Sequence, residues 1–294
     1  MGRTKIIAGV TLLFGLVGCS SKGPNIRVGS KNFTEQVVLG EIIAQHLEHR
    51  LNQKIERSLN LGGTLLAHGA LLHHEIDLYP EYTGTALTAI LKDPPDNDPA
   101  RVLTRVRSEY LTQFNVEWLD PLGIDNSFAM VVGGADARSK HLQNLSDAAK
   151  VASGWSLGVG YEFQQRPDGL AALDRTYHLH WTGSPQSMDL GLLYKALEGN
   201  QVGMIAANAT DGLLSKLDVK VLDDDQHAFP PYQVAIAAGE QRLKDTPGMR
   251  EALLELSGKF TNQSMQQLNY QVDGEHRPVA QVAAEFLKGI YGQR

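Results

Sequence analysis

Short apolar runs alternate with amphipathic segments along the chain from residue 26 onward. The runs have the length of strands, and the segments between them repeat apolar residues at helical spacing. Strands that alternate with helices are typical of an α/β protein built on parallel sheets. The strand predictions are 26–29, a second short strand that ends at 59–61, and then 116–119, 128–132, 155–159, 202–206, 219–222 and 234–238.

Three helix starts can be predicted from capping residues. Asp98 followed by Pro99 predicts an N-cap and the first helical position. Asn32, with Glu35 three residues later, predicts a capping box at the start of the first helix. Pro167 predicts the first turn of a helix that runs to residue 177.

Residues 77–85 have the pattern of a strand end, a loop and a helix start. Pro80 and Gly84 are expected to break regular structure on either side of Tyr82. Ligands of open α/β sheets bind at the C-terminal ends of strands, in such loops. Tyr82 offers a ring face, and Thr85 offers a hydroxyl and a backbone N–H. The alternative is that the tyrosines are ordinary half-buried loop residues.

The chain of 294 residues is long enough for two domains. Two α/β units are predicted to join near residues 120–128 and again near 229–233, where the chain returns to the first unit. Lobe 1 would then contain residues 26–127 plus 233–294, and lobe 2 residues 128–232. This outline predicts two lobes with a ligand cleft between them.

The N-terminus has the pattern of a bacterial lipoprotein signal. Two basic residues precede an apolar segment, 6–17, which is too short to span a bilayer. Leu-Val-Gly-Cys then resembles the lipobox, and Cys19 is the only cysteine in the chain. Residues 1–18 are therefore predicted as a signal peptide and 19–25 as a lipidated tether. The alternative is a plain signal peptide.

This signal predicts a location outside the cytoplasm, in the periplasm or at the cell surface, with a lipid anchor at Cys19. Whether that anchor lies in an inner or an outer membrane stays open. Hydrophobic residues make up 42% of the chain and charged residues 20%, as in globular proteins. The net charge is −6 and no basic cluster occurs, which argues against nucleic-acid binding.

Catalytic motifs occur only out of context. Residues 154–158 match Gly-x-Ser-x-Gly, but a helix is predicted before the serine and a strand after it, the reverse of a nucleophile elbow. His68, His73 and His74 with Glu75 could suggest a metal, but His68 and His73 are five positions apart and not four. A solvated helix end is the preferred interpretation. No metal, cofactor or catalytic residue is predicted, and an extracytoplasmic α/β enzyme remains the alternative.

The sequence offers better candidates for ligand binding than for catalysis. Lys31 and Arg166 both lie at predicted helix starts, where a cation opposes the helix dipole and a bound anion would explain it. Tyr82, Phe128 and Tyr232 lie at predicted loop or hinge positions. Aromatic faces suit a cation without N–H donors, such as a quaternary ammonium group. An anion clamp with an aromatic cage describes a betaine site, whereas surface cations and core packing are the alternatives.

Four segments carry a resemblance to a known family: 26–36, 77–85, 126–128 and 230–232. They resemble the ProX/OpuC-type substrate-binding proteins of osmoprotectant ABC importers, which bind glycine betaine, carnitine and choline. The resemblance covers nearly the whole mature chain. It implies a type II periplasmic-binding-protein fold, two lobes joined by two hinge strands that close on ligand, and no enzymatic activity. It also implies a monomer whose partner is a separately encoded membrane permease.

The resemblance assigns the site residue by residue. It implies Lys31, Thr85 and Arg166 for the ligand carboxylate, Tyr82, Phe128 and Tyr232 for the cation, and Asn126 near the ligand. Phe128 stands where a third tyrosine is usual. The fourth cage position, three residues before Asp211, holds Asn208 in place of the usual tyrosine.

The amide at Asn208 leaves the ligand open. One missing cation–π contact would cost roughly a few-fold to thirtyfold in affinity for glycine betaine. Alternatively, Asn208 hydrogen-bonds a polar part of a larger ligand such as carnitine or ergothioneine. Choline has no carboxylate for the clamp, which counts against it. A lipoprotein that senses the same ligand without transport is a further alternative.

Overall fold

The computed structural model describes residues 25–292. The predicted signal peptide, Cys19 and nearly all of the tether lie outside them. The strands are β1 (Arg27–Gly29), β2 (Glu56–Ser58), β3 (Leu78–Tyr82), β4 (Val116–Trp118), β5 (Phe128–Gly133), β6 (Leu157–Val159), β7 (Gln186–Ser187), β8 (Met204–Asn208), β9 (Val219–Leu222) and β10 (Val234–Gly239).

Helices cover both sheets. They are α1 (Thr34–Leu51), α2 (Thr64–Leu72), α3 (Thr83–Thr85), α4 (Pro99–Phe114), α5 (Gly134–Ser139), α6 (Leu145–Ala149), α7 (Tyr161–Gln165), α8 (Leu170–Tyr177), α9 (Leu190–Glu198), α10 (Glu240–Asp245), α11 (Met249–Leu254), α12 (Asn262–Asp273) and α13 (Val279–Tyr291). A π-helical turn, Ala86–Ile90, continues α3. Within residues 25–292, no helix is long and apolar enough to cross a membrane.

The strands form two five-stranded sheets with the orders β2-β1-β3-β10-β4 and β7-β6-β8-β5-β9. Strand β1 is parallel to its neighbours, and so is β6. Strand β10 is antiparallel to β3 and β4, and β5 is antiparallel to β8 and β9. The prediction of parallel sheets is therefore wrong for one strand in each sheet. Both exceptions directly follow a crossing between the sheets, so they start at the cleft where β3 and β8 end.

The two crossing segments pair with each other. The N–H of Val234 donates to the carbonyl of Ile124 at 3.0 Å, and the N–H of Asn126 donates to the carbonyl of Tyr232 at 3.1 Å. Asp125 and Gln233 form an antiparallel bridge between these bonds. We call this pairing the crossing ladder. The residue bounds predicted for the two lobes stay predictions, and both predicted junctions lie in or beside this ladder.

Strand β3 runs without a loop into α3, contrary to the loop predicted around Tyr82. In an antiparallel pair, alternate residues direct their backbone N–H and C=O groups to the partner strand, which explains why a proline is tolerated at position 80 of β3. The N–H of Thr83 bonds the carbonyl of Gln233, and the N–H of Gly239 bonds the carbonyl of Asp77. Odd-numbered residues therefore face β10, and the nitrogen of Pro80 points to the other side. There β1 pairs with β3 at Leu78 alone, so no ladder bond is lost.

One predicted helix start is confirmed and two are wrong. The Asp98 carboxylate accepts the N–H groups of Ala100 and Arg101, with Pro99 first in α4. Helix α1 instead begins at Thr34 without a side-chain cap. Glu35 does not close a capping box there, because its carboxylate is turned into the protein interior.

Pro167 does not begin a helix. Helix α8 starts at Leu170, and Arg166 follows the C-terminus of α7 in an extended conformation. A proline disfavours helical backbone angles at the residue before it, so α7 ends before Arg166. Arg166 therefore does not lie at a helix N-terminus.

The candidate catalytic and metal residues have structural surroundings. His68 is buried, with its ring edge-on to Tyr110 and Phe114, so a solvated helix end is wrong for this residue. Burial lowers the pKa of His68. Ser156 precedes β6, and its hydroxyl donates to the carbonyl of Gln201. Among residues 25–292, no three His, Cys, Asp or Glu side chains are grouped to hold a metal ion.

Gly84 should be sensitive to an added methyl group, because a Cβ there would lie 2.6 Å from the Pro231 carbonyl and 2.9 Å from the Tyr232 ring. We expect Gly84→Ala to lower the free energy of unfolding by about 1–3 kcal/mol. Gly69, inside α2, has open space at its Cβ, so Gly69→Ala should raise it by about 0.5–1 kcal/mol. Urea unfolding monitored by circular dichroism measures both. Equal effects of the two substitutions would contradict the close approach at Gly84.

Candidate ligand-binding site

A cavity of about 630 Å³ lies where β3 and β8 end and β5 and β10 begin. This volume is in the range of small-molecule sites. All eight residues predicted near the ligand line it: Lys31, Tyr82, Thr85, Asn126, Phe128, Arg166, Asn208 and Tyr232. The sequence therefore predicted which side chains meet, while their individual roles stay predictions.

Strand register places the lining residues. Tyr82, the last residue of β3, pairs with Val234, so Tyr232 lies two residues before the paired position. Phe128, the first residue of β5, pairs directly with Asn208, the last residue of β8. Each sheet thus contributes one strand end and one strand start to the cavity.

Lys31 is almost fully buried, with 2% of its surface exposed. Its Nζ donates to Glu81 Oε1 at 2.6 Å and lies 3.4 Å from Thr64 Oγ1. The same nitrogen lies 4.5 Å from the centroid of the Tyr82 ring. Lys31 is therefore ion-paired. Its ammonium group also lies against the ring of Tyr82, one of the predicted cage residues.

Arg166 is paired in the same way. Its Nε donates to Asp168 Oδ1 at 2.9 Å, and its Nη2 donates to the other carboxylate oxygen. Its Cζ lies 5.2 Å from the centroid of Phe128 and 5.6 Å from that of Tyr232. Burial would raise the pKa of Asp168, but the charge and hydrogen bonds of Arg166 lower it below its usual value.

The ion pairs of Lys31 and Arg166 correct the prediction that both cations lie at helix starts and are explained by a bound anion. Lys31 lies three residues before α1, Arg166 follows α7, and each has a buried carboxylate partner. The need for a ligand carboxylate therefore does not follow from their position.

A third carboxylate, that of Glu162, lies in the cavity wall. It accepts the backbone N–H and the hydroxyl of Thr64, the latter at 3.0 Å, and lies 3.7 Å from Arg166 Nη1. Burial would raise the pKa of Glu162, but Lys31, Thr64 and Arg166 together lower it. Glu162 is therefore ionised at neutral pH. It joins α7, beside the second sheet, to the start of α2, beside the first.

Buried carboxylates hold both tyrosine hydroxyls of the predicted cage. Tyr82 donates to Glu35 and Tyr232 donates to Asp168, each at 2.7 Å. Phe128 has no hydroxyl and is held by ring packing, edge-on to Phe163 at 4.8 Å and to Tyr232 at 5.3 Å. The ring orientations are thus fixed from behind the cavity.

Glu35 connects several elements at once. Besides Tyr82, it accepts the side-chain amide of Asn126 at 2.9 Å and the hydroxyl of Thr210. It is 2% exposed, and burial raises its pKa above the usual value although these three hydrogen bonds oppose the shift. Helix α1, strand β3, the crossing ladder and the segment after β8 therefore meet at this carboxylate.

Asn208 is held by Asp211. The backbone N–H and the side-chain Nδ2 of Asn208 point to Asp211 at 3.1 and 3.4 Å, and the Tyr194 hydroxyl donates to the same carboxylate at 3.0 Å. One N–H of the side-chain amide is thus engaged within the protein, and the amide oxygen can accept a hydrogen bond from a ligand.

Several lining or supporting residues were missed by the sequence reasoning: Phe33, Thr64, Glu81, Glu162, Phe163 and Asp168. Phe33 stacks on Tyr82 with centroids 6.1 Å apart. Glu162, Arg166 and Asp168 lie within seven residues, and this spacing of opposite charges was the available signal. At the cavity mouth, Leu65 and Leu66 are 69% and 64% exposed.

Comparison with known proteins decides the family. The model of the substrate-binding domain of ABC-type glycine betaine transport systems matches residues 24–289. The chain belongs to this family. The binding proteins of ABC importers are extracytoplasmic, bind small ligands and a permease, and are not enzymes, so the prediction of no enzymatic activity is confirmed.

Individual relatives of this substrate-binding protein carry different ligand names. The carnitine transport binding protein OpuCC of Listeria monocytogenes is 32% identical over 274 residues, 92% of this chain and 88% of that protein. The glycine-betaine-binding protein of Pseudomonas aeruginosa is 31% identical, covering 91% and 88%. The ergothioneine transport permease/ergothioneine binding protein EgtU of Helicobacter pylori is 33% identical, covering 90% and 47%.

Solved structures confirm the fold of this substrate-binding protein. The crystal structure of a glycine betaine/carnitine/choline ABC transporter protein superimposes with a TM-score of 0.76 at 30% identity, covering 91% of this chain and 99% of that one. Apo YehZ from Escherichia coli superimposes with a TM-score of 0.67 at 28% identity, covering 90% and 98%. The two-lobed type II architecture predicted by the resemblance is confirmed.

Asp211 should make stability depend on pH. Burial raises its pKa from 3.8 to about 6. The folded protein then holds this proton more tightly than the unfolded chain, so the contribution of Asp211 to stability falls as pH rises from about 4 to about 6. Asp211→Asn keeps an acceptor for Tyr194 but does not titrate. We expect the variant to gain roughly 1–3 kcal/mol relative to wild type across this range.

Urea unfolding of both proteins at a series of pH values measures the difference. A stability difference that stays constant across this range would mean that the pKa of Asp211 is not raised.

Proposed function

We propose that this protein binds a quaternary-ammonium compatible solute, glycine betaine or a related betaine, and delivers it to a separately encoded ABC permease. The observation that carries the proposal is the meeting of three aromatic rings with Lys31 and Arg166 in one interlobe cavity. A trimethylammonium group has no N–H donors, so aromatic faces and nearby negative charge are the means of binding it.

The cationic end of the ligand is assigned to Tyr82, Phe128 and Tyr232. The local charge supports this assignment, because Lys31 and Arg166 are outnumbered by the carboxylates of Glu81, Glu162 and Asp168. A cavity with surplus negative charge attracts a cation. Asn208, beside Phe128, is assigned to the same end as an acceptor wall.

The anionic end is assigned to Lys31, Thr85 and Arg166. A ligand carboxylate there would share its cations with Glu81 and Asp168. Because these cations already have carboxylate partners, a ligand without a carboxylate, such as choline, is not disfavoured. This differs from the expectation from the sequence. Carnitine and ergothioneine stay within the proposed ligand class.

Transport follows from motion of the two lobes. The crossing ladder is the proposed hinge, and closure of the lobes on the ligand would create the surface that the permease recognises. We propose that the receptor acts as a monomer held to the membrane by lipid at Cys19. An uptake assay after deletion of the permease separates this proposal from a ligand-sensing lipoprotein. Deletion should abolish uptake if the protein delivers its ligand to that permease, and it should leave uptake unchanged if the protein only senses the ligand.

A thermal-shift screen of residues 20–294 tests the ligand class. The compounds are glycine betaine, carnitine, choline, ergothioneine and amino acids. A compound present at 100 times its dissociation constant should add about 2.7 kcal/mol of stability. We expect a shift with trimethylammonium compounds and none with ordinary amino acids. A shift confined to compounds without a quaternary ammonium group would reject the aromatic cage.

Asn208→Tyr should raise affinity for glycine betaine, because it adds a ring beside Phe128. The expected gain is roughly a few-fold to thirtyfold, measured by isothermal titration calorimetry. Asn208→Leu is the matched control, since it removes the amide without adding a ring. An equal gain in both variants would show that loss of the amide matters and not the ring.

A further inference from the structure

We infer that Glu162 sets the preference between zwitterionic and purely cationic ligands, because its carboxylate already lies where the carboxylate of a ligand would bind. This inference rests on the proposed function, and it adds a specificity-determining residue that is not one of the clamp or cage residues. It follows from the surroundings of Glu162, which are those of an anion site.

The first observation is the start of α2. Gly63 lies at the N-cap position and has no side chain to accept the free N–H groups of the first turn. Glu162 supplies that acceptor from α7, through the N–H and the hydroxyl of Thr64. A Cβ on Gly63 would lie 2.5 Å from Glu162 Oε1, so the glycine leaves the room that this carboxylate occupies.

The second observation is the position of the cations. Lys31 Nζ lies 3.4 Å from Thr64 Oγ1, the same hydroxyl that donates to Glu162. Arg166 Nη1 lies 3.7 Å from Glu162 Oε2. The two cations of the proposed clamp and the N-terminus of α2 therefore all face one carboxylate of the protein itself.

The consequence differs for two kinds of ligand. A zwitterion brings a further carboxylate to Lys31 and Arg166, where it meets the charge of Glu162 at short range. It must displace Glu162 from Thr64 or bind against that repulsion. A cation without a carboxylate leaves Glu162 in place and is attracted by it. Glu162 therefore lowers affinity for zwitterions relative to cations.

Glycine betaine and choline are the matched probes, since both carry a trimethylammonium group and only the first has a carboxylate. Dissociation constants are measured by calorimetry for wild type, Glu162→Gln and Glu162→Asp. The Glu162→Gln substitution keeps an oxygen that can accept from Thr64, and the side chain is 39% exposed, so folding should persist. We expect it to shift the affinity ratio toward glycine betaine by about tenfold.

Two controls separate charge from contact. Glu162→Asp shortens the reach to Thr64 but keeps the charge. Because the charge is kept, the affinity ratio between glycine betaine and choline should stay near that of wild type. Glu251→Gln removes a charge from the exposed surface of α11 and should change nothing. Binding of both compounds with an unchanged ratio in Glu162→Gln would overturn the role of Glu162 alone. Binding of neither compound to wild type, together with no response to any trimethylammonium compound in the thermal-shift screen, would overturn the proposed function itself.

Discussion

The pairing of the two crossing segments is the constraint on which the arrangement of the site depends. It joins Ile124 and Asn126 to Val234 and Tyr232 in a short antiparallel ladder. Chain that has just crossed in this ladder can only run away from the cleft, so β5 and β10 are antiparallel to their neighbours. Two strand ends and two strand starts then face each other, which creates a cavity lined from both sheets.

Ionic pairing within the protein governs the chemistry of that cavity. A charged group removed from water is costly unless it is paired and hydrogen-bonded. Lys31 and Arg166 meet this requirement with Glu81 and Asp168, so both cations are paired within the protein. Asp168 also fixes the Tyr232 hydroxyl. Asp168 thus balances a charge and orients one aromatic wall, while Glu35 orients the Tyr82 ring, so the cavity is preorganised.

The sequence was enough to predict which residues line the cavity, but it did not predict the contacts between them. Apolar periodicity placed Tyr82, Phe128 and Tyr232 at loop or hinge positions, and the family resemblance implied that they share one site. Helix α4 begins at the predicted cap. Strand direction was missed because periodicity does not depend on it. The spacing of Asn32 and Glu35 predicts a capping box, but the same spacing occurs when the Glu35 carboxylate is turned into the interior. Ion pairs such as that of Lys31 with Glu81 join residues 50 positions apart, which spacing alone does not show.

The carboxylate of Glu35 has a consequence for how such a protein can change during evolution. Tyr82, Asn126 and Thr210 belong to separate parts of the chain, yet each donates a hydrogen bond to this one group. Loss of any donor leaves a buried carboxylate less well solvated by the protein. Substitutions at these four positions are therefore energetically coupled, so a change to the ring that lines the cavity is tolerated best together with a change at the crossing ladder behind it.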